Sequence, residues 1–414
     1  MKNVFLLGNG FDLHHKLPTK YFDFMCVVDY LGNNRLTFPI TIGDVLSNCT
    51  ESQNIIDCYA AHKEVFDAVE VPSATVNEIS HLLLNNIWFD YFLKTLNRDL
   101  GWIDFEKEIF NVITILDEII DPDEKSVYLP QHELLPPFIL SNFNFFVDVW
   151  DDAKLYPGDD LDILKKYLIE YPYNSGIYVA DKKKIFDELY EKLLDFNKAL
   201  NLYFEGFIEN AFYLLHKDNF MRNSRIDLIN MADNAVSFNY TSTLEELYFN
   251  KKAYHIHGRI KDKKMVLGVN PNEADDMGTN DTSLIKFKKY YQREFLGTDI
   301  EYINWYRDIL SAKTEYRVIV IGHSLDETDK DIISDMFLNA KEIYITYFND
   351  ECKDGYVANI VKMFGKSGFD KFRREQHMEF VLLSKITSLK SKIEPQQIDW
   401  TFSDSEQGEK IVVI

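Results

Sequence analysis

The sequence predicts an α/β fold: a Rossmann-like, mostly parallel sheet flanked by helices, with a large helical insertion after the first strand. Three observations predict it. Residues Asn3–Leu7 form an apolar run that ends at a glycine turn, which is typical of a strand buried on both faces. Six similar runs, mostly rich in β-branched and aromatic residues, follow after residue 234. The region between them carries apolar positions at helical spacing.

The later runs are separated mainly by helical or glycine-bearing stretches, an alternation that favours parallel strands with helices on the faces of the sheet. We predict strands at Ala235–Asn239, Tyr254–His257, Met265–Val269, Arg317–Ile321, Ile343–Phe348 and Glu379–Leu383.

The helical insertion is predicted from periodic apolar positions among charged residues. These lie in Val76–Arg98, Phe105–Ile120, Leu161–Ile169 and Ile185–Leu215. The chain is therefore divided into a Rossmann-like nucleotide-binding core (residues 1–40 and 232–395), a helical insertion (residues 41–231) and a C-terminal tail (residues 396–414).

Composition and charge exclude several classes of protein. No run approaches the roughly 20 apolar residues that span a bilayer, and the N-terminus does not resemble a secretory signal, so we expect a cytoplasmic protein. The four cysteines are scattered without a Cys-x-x-Cys pair, which predicts buried thiols rather than a zinc ribbon or a disulfide framework.

The net charge of −22 disfavours binding to nucleic acid. Short lysine clusters at Lys182–Lys184, Lys251–Lys252, Lys261–Lys264 and Lys286–Lys289 are interpreted as solvated loops or helix faces. Self-association as a homo-oligomer is left open by the 14% aromatic content, which is sufficient for an interface.

The first motif with chemical potential is Gly8-Asn9-Gly10-Phe11-Asp12, directly after the first strand. Glycines there permit a tight turn and a close approach to a ligand, and amides that open a helix suit a pyrophosphate. Leu13 stands where a G-x-G-x-x-G motif has its third glycine, and Leu17-Pro18-Thr19 leaves too little room for the usual crossover helix before a second strand. A conventional hydride-transferring domain is therefore disfavoured. The alternative is a strand-to-helix turn without a ligand.

The second motif is Ser237-Phe238-Asn239-Tyr240-Thr241, at the end of another buried strand. Asn239 offers a donor and an acceptor at the carboxyl edge of the sheet, where open α/β folds bind ligands. The alternative is a helix cap, in which Ser242 and Glu245 form a capping box.

The third motif is His255-Ile256-His257-Gly258. Two histidines on one strand face could form a metal pair, but no third ligand accompanies them, so no metal is expected. His257, followed by glycine at a strand end, is a candidate general base, whereas a structural role is the alternative for His255.

The fourth motif is Gly322-His323-Ser324-Leu325-Asp326 with Asp329, again after an apolar strand, and Ser324 or Asp326 is the expected cap. Asp350 and His377 follow in serine-hydrolase order, but Asp326 replaces the closing glycine of a nucleophile elbow. A turn that contacts the ribose or phosphate of a nucleotide, through Gly322, Ser324 and Asp329, is favoured instead.

The order of these motifs resembles that of the bacteriophage abortive-infection AbiH family. The motifs are Gly8-Asn9-Gly10-Phe11-Asp12-Leu13, His15, Leu17-Pro18-Thr19, Tyr21 and Asp23-Phe24; Trp102-Ile103-Asp104-Phe105-Glu106; Phe238-Asn239-Tyr240-Thr241 with Leu244-Glu245; His255-Ile256-His257-Gly258; and Gly322-His323-Ser324-Leu325 with Asp329.

AbiH proteins are in turn similar to sirtuin-like NAD-consuming domains. The resemblance implies that Gly8 and Gly10 contact phosphate, together with their neighbours Asn9 and Phe11. It also implies that Asn239 and His257 are catalytic and that the Gly-His-Ser-Leu turn contacts the adenosine half of NAD. Asn9 and Asp12 depart from the small residues that sirtuins have there, and the chain carries no zinc module, which argues against deacetylation.

The first hypothesis is an anti-phage enzyme that cleaves NAD or a related nucleotide at the nicotinamide–ribose bond. His257 would act as base, Asn239 would position the nucleophile and Asp12 would stabilise the cationic ribose. An enzyme this toxic must be held off in uninfected cells, so we expect oligomerisation or a ligand, such as a phage-derived trigger, to switch it on. The first alternative is a nucleotide-binding sensor of phage defence without catalysis. The second is a nuclease that holds Mg²⁺ with Asp104, Glu106, Asp326 and Asp329.

Overall fold

The computed structural model describes residues 1–96, 103–119, 168–170, 178–180, 182–248, 251–269 and 284–393. The described strands are β1 Lys2–Leu7, β2 Ile40–Thr41, β3 Glu70–Val71, β4 Leu168–Glu170, β5 Tyr178–Ala180, β6 Asn234–Ser237, β7 Ala253–His255, β8 Tyr316–Ile321, β9 Glu342–Tyr347 and β10 Glu379–Leu382.

The helices of the first half are α1 Asn9–His14, α2 Tyr21–Asn33, α3 Ile42–Leu46, α4 Gln53–Phe66, α5 Ser73–Leu83, α6 Ile87–Thr95, α7 Phe105–Ile119 and α8 Lys182–Phe207. The later helices are α9 Phe212–Leu215, α10 Asn219–Asn223, α11 Thr243–Leu247, α12 Lys289–Leu296, α13 Ile300–Ser311, α14 Lys330–Leu338, α15 Asp350–Glu375 and α16 Ile386–Ile393. None of these described helices has the length and apolar character needed to cross a membrane.

Six strands form one parallel sheet in the order β10-β9-β8-β1-β6-β7. The first strand lies at its centre, with β6 on one side and β8 on the other. The chain therefore builds one half of the sheet through β6 and β7 and then crosses back to β8. In an open α/β sheet, the carboxyl edge at such a reversal is the usual ligand site. The predicted Rossmann-like parallel sheet is confirmed.

The two faces of the sheet bury different side chains, as the alternation along a strand requires. Phe5 and Leu7 of β1 join a core cluster built mainly with helices between β1 and β6, including Phe24, Phe105 and Phe196. Val4 and Leu6 join a second cluster, which contains residues of α13, α14 and α15. The described helices of the insertion thus share one continuous apolar core with the sheet.

Four details of the sequence analysis are corrected or fall outside the described residues. Residues Leu168 and Ile169 belong to β4 rather than to a helix. Three cysteines are buried as expected, but Cys352 is exposed. The predicted helical residues 161–167 and the tail (residues 396–414) lie outside the described part of the chain.

The segment Met265–Val269 is not a strand, contrary to the prediction. The side chain of Gln292 takes the place of a neighbouring strand: it accepts from the Leu267 amide and donates to the Leu267 carbonyl, both at 3.0 Å. Only Val269 makes an isolated bridge, to Lys288. A glutamine can satisfy both backbone groups of a residue as a strand would, so an apolar run alone does not reveal which partner it has.

Candidate active site

A cavity of about 880 Å³ opens at the carboxyl ends of β1, β6, β7 and β8. It is lined by residues of all four predicted motifs. The predicted site residues that line it are Gly8, Asn9, Gly10, Asp12, Asn239, His257, Gly322, Ser324 and Asp329. Phe11 is the exception, because its ring is buried beside His15 and Tyr248. Four stretches spread over more than 300 positions of the chain therefore meet where the sheet topology predicts a ligand site.

The glycines of the first and fourth motifs pack against each other. A Cβ on Gly10 would lie 2.7 Å from Gly322 Cα, and one on Gly322 would lie 2.2 Å from the Phe11 nitrogen. Gly322 also has a φ of +68°, which favours glycine. A Cβ on Gly8 would lie 2.5 Å from His323 Cα. These glycines are needed for the contact between two turns of the protein.

The amides of the first turn are largely engaged within the protein. The Gly8 N–H donates to the Ile321 carbonyl, the Gly10 N–H to the Gly322 carbonyl and the Phe11 N–H to the Gly8 carbonyl. A pyrophosphate bound here would therefore compete with main-chain hydrogen bonds for these amides. Side chains on the cavity wall are better placed to meet it.

Asn9 fastens the first turn to the segment that follows α1. The Thr19 hydroxyl donates to Asn9 Oδ1 at 2.6 Å, and Asn9 Nδ2 donates to the Thr19 carbonyl. This double hydrogen bond holds Lys20 and Tyr21 at the cavity wall, which both residues line.

Asp12 is a buried carboxylate with one unsatisfied oxygen. The Thr241 hydroxyl donates to Oδ2 at 2.6 Å, whereas Oδ1 has no hydrogen-bond partner among the described residues. Burial raises the pKa of Asp12 from 3.8 to about 6, and the hydrogen bond from Thr241 opposes that rise. The side chain is 1% exposed yet lines the cavity. At neutral pH it is mostly ionised, and it can stabilise a cation or accept a hydrogen bond.

Asn239 ties the second motif to the first, because its Nδ2 donates to the Gly8 carbonyl at 3.0 Å. Ser242 is the N-cap of α11, as predicted, but its side chain makes no cap hydrogen bond. The predicted capping box is therefore wrong. Its glutamate, Glu245, accepts instead from the Ala253 amide and lies 3.0 Å from His255 Nε2. A stronger partner on the adjacent strand draws the carboxylate away from the helix terminus.

The two histidines of the third motif have different surroundings. His255 has partners on both ring nitrogens, the Asn239 carbonyl at Nδ1 and Glu245 at Nε2, consistent with the structural alternative. His257 lines the cavity, and its Nε2 lies 3.0 Å from Asp329 Oδ1 without a well-directed hydrogen bond. Burial, followed by the charge of Lys289, lowers the pKa of His257 to about 4. The ring is therefore neutral at physiological pH and able to accept a proton.

Asp329 is the centre of a buried charge network. Its Oδ1 lies 3.0 Å from Lys289 Nζ, and Lys289 also lies 2.8 Å from Glu106 Oε2. Burial alone would raise the pKa of Asp329, but the charge of Lys289 and then the neighbouring His257 ring hold it well below the ordinary value. Burial raises the pKa of Glu106, against the effect of Lys289.

His323 reaches the other oxygen of Asp329, with Nε2 at 3.5 Å from Oδ2. The Leu325 amide donates to His323 Nδ1 at 2.9 Å. In the neutral ring the proton is therefore on Nε2, facing the carboxylate. The fourth motif thus supplies both Asp329 and a histidine that orients it.

The remaining residues of the fourth motif shape the rim. Asp326 accepts from the Thr328 amide and caps the short 3₁₀ helix Glu327–Asp329, as predicted for one of the two candidate caps. Ser324 lines the cavity, and its carbonyl accepts from Asn359 of α15. Among the described residues, no group of three or more histidine, cysteine, aspartate or glutamate side chains is arranged to hold a metal ion.

Lys289 was missed by the sequence analysis. It belongs to the Lys286–Lys289 cluster, predicted to be solvated, but Lys289 is 1% exposed. Its neighbour Lys286 is partly exposed, in keeping with the prediction. Nothing in a run of similar residues marks the one that turns inward, so its role emerges only when Glu106 and Asp329 are seen beside it.

Comparison with known proteins supports one assignment. The family model described as "Bacteriophage abortive infection AbiH" matches residues 4–349. No curated protein and no solved structure gives a significant match. The matched range spans all four motifs and most of the sheet. The chain belongs to the bacteriophage abortive-infection AbiH family, which indicates an anti-phage role.

Proposed function

We propose that the protein hydrolyses the bond between nicotinamide and ribose in NAD, or the corresponding bond of a related nucleotide, and so depletes the cofactor during phage infection. The observation that carries the proposal is the pairing, in one cavity, of a neutral His257 with the buried carboxylate of Asp12, one oxygen of which has no hydrogen-bond partner in the described part of the chain.

In this reaction the C–N bond breaks, its electron pair leaves with nicotinamide, and positive charge spreads over the ribose ring. Asp12 stabilises that cation, since an ionised carboxylate in a dry site interacts strongly with developing charge. Water forms the new C–O bond and gives its proton to His257, from which the proton passes to solvent. Such general-base assistance contributes roughly 10²–10⁴-fold.

The other motifs supply shape. Asn239 stands between the first turn and the third motif, where it would position the water or a ribose hydroxyl. Because the glycine amides are engaged, Ser324 and Lys20 on the cavity wall are assigned the phosphates. The aromatic side chains Phe204, Phe238 and Tyr240 line the same cavity and offer apolar surface to the nicotinamide and its ribose.

A nucleotide-binding sensor without catalysis is the second candidate. One observation favours it: the Asn239 amide is already bound to the Gly8 carbonyl, as expected of a residue that shapes a binding loop.

The test is incubation of purified protein with NAD, alone and with lysate from phage-infected cells, followed by chromatography for nicotinamide. We expect release by the wild type and its loss in Asn239→Ala and His257→Ala. His377→Asn, an exposed histidine outside the cavity, is the control and should retain activity. NAD binding measured by calorimetry, with no release under either condition, would favour the sensor.

A further inference from the structure

Glu106 and Lys289 form a buried ion pair that the proposed chemistry leaves unexplained. Glu106 lies in α7 of the helical insertion, and Lys289 is the first residue of α12. Their charged atoms are 2.8 Å apart, and the lysine is 1% exposed. Burying two charges is expensive and often brings no net stability over apolar residues. A pair placed in the wall of the cavity therefore calls for a role other than stability.

The geometry connects this pair to His257. Lys289 Nζ and His257 Nε2 each lie 3.0 Å from the same oxygen, Asp329 Oδ1. The two nitrogens are therefore at most about 6 Å apart. At that distance an ammonium strongly disfavours a second positive charge on the imidazole, while it favours the ionised form of the carboxylate between them.

We propose that Lys289, held in place by Glu106, is a positioning residue that fixes the Asp329 carboxylate against His257 and keeps His257 in its proton-accepting form. Asp329 alone would favour the imidazolium, and a histidine already protonated cannot act as a base. Lys289 offsets that effect. This assignment rests on the proposed function for its catalytic consequence, whereas its electrostatic part concerns the ligand-free protein.

The groups that face this network come from several elements. Asp329, Lys289 and Arg293 act on His257 by charge, and the rings of Phe238 and Tyr240 lie against it. His323 faces the far oxygen of Asp329, and Tyr240 lies near both Glu106 and Lys289. Glu106 comes from α7 of the helical insertion, so the insertion also contributes a side chain to the cavity.

The test compares Lys289→Met, Lys289→Arg and the double variant Glu106→Gln/Lys289→Met with the wild type. In Lys289→Met alone, the buried carboxylates of Glu106 and Asp329 lose the cation between them and repel each other, which disfavours folding. The double variant removes the charge of Glu106 as well, so it provides a folded protein to measure. The pKa of His257 is read from the NMR spectra of ¹³C-histidine-labelled protein without ligand, with the signal assigned by its absence in His257→Gln. Exposed His377 is the internal reference.

We expect the pKa of His257 to rise by about one to two units in Lys289→Met and in the double variant, and to return towards the wild-type value in Lys289→Arg. With NAD at pH 5, kcat should fall about two- to tenfold in Lys289→Met, because half or more of His257 is then protonated, while KM changes little. If the pKa of His257 is unchanged in Lys289→Met and in the double variant, with both proteins folded, the inference is overturned even if the wild type cleaves NAD. If the pKa of His257 shifts but neither the wild type nor any variant cleaves NAD, the electrostatic inference is upheld and the proposed function is refuted.

Discussion

Replacing Asp12 by asparagine should remove activity and at the same time stabilise the folded protein. Burial raises the pKa of Asp12 from 3.8 to about 6, so the folded state disfavours the charged form. At 1.36 kcal/mol per pKa unit, the ionised carboxylate destabilises the fold at neutral pH by about 3 kcal/mol. Asparagine is of similar shape, and its oxygen can still accept from Thr241 while its NH₂ takes the place of the unpartnered Oδ1.

The stabilisation should depend on pH in a defined direction. Because the folded-state pKa is raised, the contribution of Asp12 to stability is fully present below its unfolded pKa of 3.8 and is lost as the pH rises through about 6. The gain in unfolding free energy of Asp12→Asn should therefore be about 3 kcal/mol at pH 8 and about 1 kcal/mol smaller at pH 5.5. Urea unfolding followed by circular dichroism at both pH values measures it.

Asp23 provides the matched control, since burial raises its pKa to about 6 as well. Unlike Asp12, it is fully bonded: Ser52 donates to Oδ1, and the Lys20 amide and Asn54 donate to Oδ2. Asp23→Asn must turn its NH₂ towards a donor, so it should destabilise the protein. The reasoning is refuted if Asp12→Asn is less stable than the wild type at pH 8, or if its gain is the same at both pH values.

Three further predictions follow from the same structure. Gly10→Ala should destabilise the protein by about 2 kcal/mol or more, because the new Cβ would lie 2.7 Å from Gly322 Cα. A Cβ at Gly32 meets no described atom within 4 Å, so Gly32→Ala should stabilise α2 by about 0.5–1 kcal/mol; thermal melts of the two variants measure the difference. Activity should fall as the pH drops through about 6, because protonation of Asp12 removes the charge that stabilises the ribose cation. A profile of kcat/KM from about pH 3.5 to 9 locates the acidic limb, and a limb near pH 4 would assign it to His257 instead. Gln292→Leu should destabilise by about 2–3 kcal/mol, because both backbone groups of Leu267 lose their partner; chemical unfolding measures the loss, and an unchanged midpoint would contradict the account.

Much of the fold could be read from the sequence because parallel strands buried on both faces leave continuous apolar runs. Five of the six later runs are strands. The exception, Met265–Val269, shows the limit of that reasoning, since side chains and loop main-chain groups bond the backbone of this run in place of a neighbouring strand. The cavity could be predicted as well, because the motifs follow strands whose carboxyl ends meet at one edge.

The charge network could not be predicted in the same way. Glu106 and Asp329 were recognised as acidic residues of motifs, but the cation that joins them occurs in a lysine cluster with no period to mark its buried member. Burial of an isolated charge is decided by tertiary partners, and those partners are 183 and 40 positions away from Lys289 in the chain.

The contact between the turns at Gly10 and Gly322 has a practical consequence for genetics. An alanine at either glycine would push apart two segments more than 300 positions apart in the chain, so loss of phage protection in such a mutant would report misassembly and reveal nothing about bond cleavage. Investigators who want a loss-of-function allele with the protein intact at normal abundance should alter Asp12 or His257 instead. The glycine alleles are better used to measure how much loss of folding stability the protein tolerates before phage protection fails.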